Sequence, residues 1–430
     1  MSPRPAEAAI TGDGRKILAA QGLRALGYGS ASVLLGASLE ARGWTGGQVG
    51  LLLGAILAGT AMLSFVLARR GDRLGRRRMY ALLFLGLSVT GLAFGLTDRL
   101  WILLLVALTG TMSTEVVESG PFTSLEQAML PATVPPDRRT RVFGTYNVVA
   151  TVAGSLGALA AGGPALLRGL WPGLPADHRF FLLLVPLGLA GMAVARSLSP
   201  RVEAPVAEGK PRRPLDRSRR PVLGLSALFA VDSLAGGFVL QSFLAYWFRL
   251  RYGVSLEVLG LVFFLVGLLQ AASFMAATRL AERIGLLNTM VFTHLPSNVL
   301  LGAIPFAPNL PVAVALLLCR FALSQMDVPT RQAYLVALVE PQELTAAAAY
   351  TNAARYAVRP LGPLLGGLAQ QAALGLPFLL GGGIKAAYDL ALWVWFRRVP
   401  LAARARNGRQ SWEGRGDPTY RRQTASPPRG

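Results

Sequence analysis

Charge is scarce in this 430-residue chain, at 15% of residues against 53% hydrophobic, and acid is scarcer still, with 22 Asp and Glu against 43 Lys and Arg. Soluble domains carry about a quarter charged residues, so this composition excludes a string of ordinary soluble domains. Cysteine is nearly absent. The single Cys319 sits in an apolar run and leaves no intrachain disulfide to form. Two histidines and no Cys/His cluster leave nothing with the ligand spacing of a metal site. Walker-type phosphate loops and the HExxH and GxSxG motifs are also missing, which argues against ATP as the energy source and against an intramembrane enzyme. No cofactor is expected. Met1–Lys16 has no cleavable apolar core, so the run that follows reads as a retained span.

What the chain does have is length of apolar run, with a mean hydropathy of +0.45. Stretches of about twenty residues cross a hydrocarbon core of about 30 Å. They fall near Ile17–Leu39, Gln48–Ala68, Met79–Thr97, Trp101–Phe122, Val142–Leu166 and Phe180–Leu198, then near Val222–Phe248, Leu256–Thr278, Leu286–Phe306, Leu310–Gln325, Ala346–Gln370 and Pro377–Phe396. The expected fold is an all-α membrane protein of twelve transmembrane helices in two six-helix bundles. Its parts are a cytosolic segment 1–16, a bundle 17–199, a solvated cytosolic linker 200–221, a second bundle 222–398 and a basic, disordered cytosolic tail 399–430.

The net charge of +21 could suggest nucleic acid, but the basic residues sit in short clusters between apolar runs, as orientation signals do. Most fall on one side, and the opposite loops hold Arg42, Arg99, Arg168, Arg179, Arg249 and Arg251. Both termini are therefore expected in the cytosol of a cell that carries the protein in its plasma membrane. Trp44, Trp101, Trp171 and Trp247 lie near the outer ends, where an interfacial aromatic belt is expected.

The two sets of spans repeat. Gln127 and Gln332, Pro136 and Pro341, Thr140 and Thr345, and Asn147 and Asn352 stand at one constant offset. A second offset aligns Asp72-Arg73-Leu74-Gly75 with Glu282-Arg283-Ile284-Gly285. A same-orientation repeat of this size is a feature of secondary transporters.

After the second span comes Ala68-Arg69-Arg70-Gly71-Asp72-Arg73-Leu74-Gly75-Arg76-Arg77-Arg78. Asp72, Arg73, Gly75, Arg77 and Arg78 match the signature loop of the major facilitator superfamily, with Ala68 in place of the opening glycine. The chain resembles that family over its whole length, and Glu282, Arg283 and Gly285 form the degenerate second copy. The resemblance implies two bundles rocking about a central cavity lined by spans one, four, seven and ten with five and eleven. It also implies that the loop acid contacts the neighbouring bundle. Proton-driven antiporters of the family carry Gly-Pro-x-x-Gly-Gly in span five. Here Gly157–Gly162 lacks the proline, and the full pattern stands at Gly362–Gly367 in span eleven.

Charges inside spans are costly and mark functional candidates. They are Arg24, Arg320, Arg355, Arg359 and Lys385 with Glu115, Glu118, Asp232, Asp327 and Asp389. Arg24 and Asp232 look like repeat mates with inverted charge, which suits a pair between bundles or two local pairs. Glu115 and Glu118, spaced i, i+3, are expected to share one helix face. They suit either proton coupling, together with Asp232, or a neutralised pair beside an arginine. Glu126 and Arg331 are repeat mates after spans four and ten, either an inter-half gate or solvated loop ends. Asn147 and Asn352 read as substrate contacts or interhelical glue, and Arg24, Asp327, Arg355 and Arg359 as cavity residues. Lys385 and Asp389 are expected to satisfy each other, and His294 to be structural.

The function expected is secondary active transport of a small solute by a monomer in a lipid bilayer. Proton-coupled efflux of a drug-like or metabolic compound leads. A proton symporter or uniporter for nutrient uptake, or a non-transporting sensor of the same fold, are the alternatives.

Overall fold

The computed structural model describes residues 10–116, 120–135, 138–174, 177–203, 215–216, 218–340 and 342–399, without the side chains of Ala68, Gly71, Asp72, Arg73, Thr140 and Thr345. The tail beyond Val399 and most of the central linker lie outside the described residues. Helices account for every crossing, and no strand occurs among the described residues.

Crossings one to three are the unbroken helices α1 (Gly12–Ala41), α2 (Gly46–Leu74) and α3 (Arg76–Leu96). Crossing four is split into α4 (Leu100–Ala107) and α5 (Pro121–Met129). Crossing five joins α6 (Arg139–Ala160) to α7 (Gly163–Leu170), and crossing six is a 3-10 turn leading into α8 (Leu184–Arg196). In the second half, α9 (Arg219–Gly236) and α10 (Gln241–Tyr252) make crossing seven. Crossings eight and nine are α11 (Leu256–Ile284) and α12 (Leu286–Ala303). Crossing ten is α13 (Leu310–Ser324) with α14 (Asp327–Leu338), and crossing eleven α15 (Leu344–Val358) with α16 (Leu361–Ala372). Crossing twelve is α17 (Leu376–Phe396).

Among the described residues, seven helical stretches have by themselves the length and hydropathy of a membrane span. The remaining crossings are broken or carry polar groups, such as His294 and Asn298 on α12. Together the twelve crossings are those expected from the apolar runs. The sequence repeat is visible in the backbone: Gly75 and Gly285 both turn the chain at positive φ, 84° and 88°, between crossings two and three and between eight and nine. Glycine is favoured there because a Cβ is strained in that conformation.

Each half packs within itself. α1 lies on α6 and α8, α3 on α8, α12 on α17 and α13, and α9 on α15. Across the halves, α1 meets α10, α2 meets α16, and α6 meets α11. α10 and α16 are the segments of crossings seven and eleven farthest from the linker. Their linker-side continuations, α9 and α15, pack on each other and on α17 and α14 instead. Among the described residues, contacts between the halves therefore concentrate at the end distal to the linker, and the linker-end segments pack within their own half.

Small residues allow the distal seal. A methyl at Gly50 would come within 2.3 Å of the Pro363 carbonyl oxygen, and one at Gly367 within 2.1 Å of that of Gly46. Such closeness lets helix backbones touch. Gln241 donates to Ser32 at 2.8 Å, Tyr246 to the Trp44 carbonyl at 2.7 Å, and Arg249 to Glu40 at 2.7 Å, all across the seam.

Two expectations need correction. Trp101 and Trp171 are exposed at the distal end, but Trp247 is only 1% exposed. It packs on Phe378 and donates to the Leu374 carbonyl, so it is a core residue and not part of a belt. The linker is not wholly solvated either. Val202 is buried, and Glu343 on the approach to α15 accepts from the backbone of Asp216 and Ser218.

Candidate functional site

Each half encloses its own charge cluster. In the first, Glu126 projects from α5 into a pocket between α1, α3 and α6. Its Oε1 accepts from Arg24 Nε at 3.2 Å and from Tyr80 at 2.8 Å. Its Oε2 accepts from Arg24 Nη2 at 2.8 Å and from Tyr146 at 2.6 Å. The Arg24 guanidinium also stacks near Tyr28 and Phe122, 5.6 and 5.4 Å from their centroids. Both charged side chains are fully buried. Burying two ions is favourable only when the geometry is close and the remaining lone pairs are satisfied, and here four donors meet the carboxylate.

In the second half, Asp232 on α9 receives Lys385 from α17 and lies 3.6 Å from Arg331 on α14. Arg331 also reaches Asp327 one turn back, at 3.4 Å. Arg320 on α13 is 7% exposed, and its Nε and Nη1 have no hydrogen-bond partner among the described residues. Next to this group, Asp389 accepts from His294 Nδ1 at 2.9 Å and from Asn298 at 2.8 Å.

These contacts match the local alternative for Arg24 and Asp232 and overturn the other pairings expected from the sequence. Arg24 and Asp232 do not meet, because each finds a counter-charge in its own half. Glu126 and Arg331 are neither solvated loop ends nor an inter-half bridge, because crossings four and ten continue as α5 and α14 and bury both residues. Lys385 leaves Asp389 for Asp232, although the two stand one turn apart. Tyr80, Tyr146 and the His294–Asp389 contact were not anticipated. Lone tyrosines and a lone histidine in apolar runs give no local signal of a shared partner.

Besides Arg249–Glu40 at the distal end, a second charge contact spans the seam. Arg359 donates to Glu115 from the opposite half. Both residues sit where a crossing is interrupted. Arg359 lies between α15 and α16, next to Pro360. Glu115 lies in the non-helical stretch 111–116, which follows Gly110 at a φ of 73°. That stretch corrects the shared helix face assigned to Glu115 and Glu118, since residues 111–116 are not helical. Glu118 itself lies outside the described residues. Interrupted helices in transporters expose backbone groups toward a substrate path.

Arg355 sits one turn before Arg359, half-buried, and its carbonyl accepts from Ser233. Asn147 and Asn352 are exposed, and their side chains make no hydrogen bond among the described residues. In the signature loop, the Arg77 amide donates to Glu203 at 3.4 Å and its guanidinium to the Arg196 carbonyl at 3.3 Å. The side chains of Asp72 and Arg73 are outside the described set. Arg78, Glu282 and Arg283 are exposed.

The chain is 28% identical over 416 residues to YJR124C, an uncharacterized membrane protein of Saccharomyces cerevisiae, covering 88% of this chain and 92% of that one. It is 24% identical to YceJ, an uncharacterized MFS-type transporter of Bacillus subtilis, covering 75% and 80%. Its fold is similar to that of a bacterial homolog of the human lysosomal transporter Spinster, solved in an inward-facing and unoccupied conformation. That likeness has a TM-score of 0.66 at 18% identity, over 89% of this chain and 94% of the other. The family model of the Major Facilitator Superfamily matches residues 17–363. With twelve crossings in two repeated halves and that match over most of its length, the chain belongs to the Major Facilitator Superfamily.

Proposed function

We propose that this chain is a proton-coupled secondary transporter that exports a small drug-like or metabolic compound by alternating access. The observation that carries the reading is the asymmetry of the seam: glycine-mediated closure at the distal end, linker-end helices packed within their own halves, and the Glu115–Arg359 contact between them. A solute entering from the linker end would meet Asp232, Asp327, Arg355 and Arg359 from the second half and Glu115 from the first. The basic residues favour a cytosolic linker end, so this conformation is inward-facing, as in the Spinster homolog. Asp232 and Glu115 are the acids best placed to link a proton to that path.

The purified protein in liposomes, with an imposed pH gradient and a panel of solutes, tests this. Uphill movement of a solute into the more acidic compartment, lost on adding a protonophore, is the expected result. A panel of solutes that moves only downhill would replace the exporter with a uniporter. The missing proline at Gly157–Gly162 favours symport as the second reading, and co-directional movement of solute and proton would select it. Cysteines introduced one at a time at Arg251 and Arg279, in a Cys319→Ser background, test orientation. Only the first should react with an impermeant reagent outside intact cells.

A further inference from the structure

We propose that His294, held by Asp389 between α12 and α17, is where this chain takes up and releases a proton. The added charge reaches the central seam through Lys385 and Asp232. This inference rests on the transport reading and names the group that titrates within it.

The geometry assigns the atoms. His294 is 4% exposed, and its Nδ1 lies 2.9 and 3.1 Å from the two Asp389 oxygens. An ionised carboxylate only accepts, so Nδ1 carries the hydrogen and Nε2 is the atom that gains or loses a proton. Asn298 Nδ2 is also near Nδ1, at 3.2 Å, but both are then donors, and the amide bonds the carboxylate instead. Asp389 therefore fixes the tautomer and faces the imidazolium when it forms. Histidine is the side chain whose ordinary titration lies between about pH 5 and 8.

The surroundings make that proton consequential. Facing the site are Lys385, Tyr388 and Asp389 from α17, Asp232 from α9, Asp327 and Arg331 from α14, and Arg320 from α13. α11 also packs on α12, but its ionisable Glu257, Arg279, Glu282 and Arg283 lie toward its two ends. The acids Asp232, Asp327 and Asp389 thus face the permanent cations Arg320, Arg331 and Lys385. The cluster is neutral with a neutral imidazole and carries one surplus positive charge with an imidazolium. A surplus charge in a poorly hydrated interior is expensive until a neighbour moves. Lys385 is the neighbour with two acids in reach, one turn from Asp389 on its own helix and bonded to Asp232 across to α9. Protonation strengthens His294's hold on Asp389 and repels Lys385 and Arg331. It thereby alters how tightly α9, α14 and α17 are tied together beside the seam, a bias on a two-state equilibrium.

The sequence makes this testable without a known solute, because its two histidines are His178 and His294. Full-length His178→Gln protein with isotope-labelled histidine, in lipid nanodiscs, shows a single imidazole. Its Nε2 resonance, followed from pH 9 down to pH 5, should change from that of a neutral imidazole to that of an imidazolium. In a Cys319→Ser background, the distance between spin labels at Arg141 and Arg279 should change over the same pH range. That pH dependence should vanish in His294→Gln. An imidazole that stays in one protonation state throughout overturns the proposal, and the first measurement leaves the cluster intact. A label distance that keeps its pH dependence in His294→Gln also overturns it. Liposomes that move no solute would remove the transport reading alone, since the titration is read without transport.

Discussion

Glu126 accepts two hydrogen bonds from one edge of the Arg24 guanidinium, Nε at 3.2 Å and Nη2 at 2.8 Å, and neither side chain reaches solvent. The pair ties α5, beyond the break in crossing four, to the middle of α1. Arg24→Met would leave a buried carboxylate with only Tyr80 and Tyr146 as donors. Losing one partner of a buried pair costs about 3–5 kcal/mol. The expected outcome is a large fall in thermal unfolding temperature of the purified protein, partly recovered in Arg24→Met/Glu126→Gln. An unchanged unfolding temperature in the single variant would mean that the pair carries no net stability.

Lys385 and Asp232 come from α17 and α9, two neighbouring helices of the second half. Either single neutral substitution, Lys385→Met or Asp232→Asn, strands a charge among Arg331, Asp327 and Asp389. The double variant should be less destabilised than the two singles combined, by roughly 1–3 kcal/mol of coupling for residues in one network. Strict additivity in thermal or denaturant unfolding would show that the two charges act independently.

Arg359 and Glu115 are joined across the seam while still partly exposed, 14% and 22%. Partial exposure limits the contact to about 1 kcal/mol. Arg359→Gln should therefore shift the balance away from the distal-closed state by roughly fivefold, with little change in unfolding temperature. Spin-label distances across the linker end report the shift. Identical distance distributions in Arg359→Gln and the parent protein would leave the contact without a role in closure.

The distal seal depends on bare backbone at Gly367, where a methyl would come within 2.1 Å of the Gly46 carbonyl. Gly367→Val should wedge the seal open, since overpacking costs about 1–3 kcal/mol. A cysteine at Gln371, exposed beside Gly47, should then react with a thiol reagent at least about tenfold faster than in the glycine protein. Equal labelling rates would show that the helices separate elsewhere to make room.

The signature loop keeps one prediction of its own. Asp72→Asn removes the loop acid but none of the charges in the two buried clusters. Slower transport with near-normal solute binding is the expected outcome, measured in the liposomes described above. Unchanged transport at matched protein density would reduce the loop to an orientation signal.

The amino-acid sequence by itself determined the crossings, the repeat and the family. Each of these depends on local properties: runs long enough for a hydrocarbon core, turn glycines at Gly75 and Gly285, and a short motif. Hydropathy is a sum over neighbours in the chain, so it survives without knowledge of the fold. Pairing is not such a sum. Arg24 meets Glu126 because crossing four breaks near Gly110 and restarts at Pro121, which returns Glu126 to the interior. Lys385 meets Asp232 rather than Asp389 because α17 faces α9 with that edge. Those choices depend on helix rotation, relative depth and the position of breaks, which no periodicity encodes. Only the tertiary structure decided them, since a buried ion takes the partner that its surroundings bring within reach.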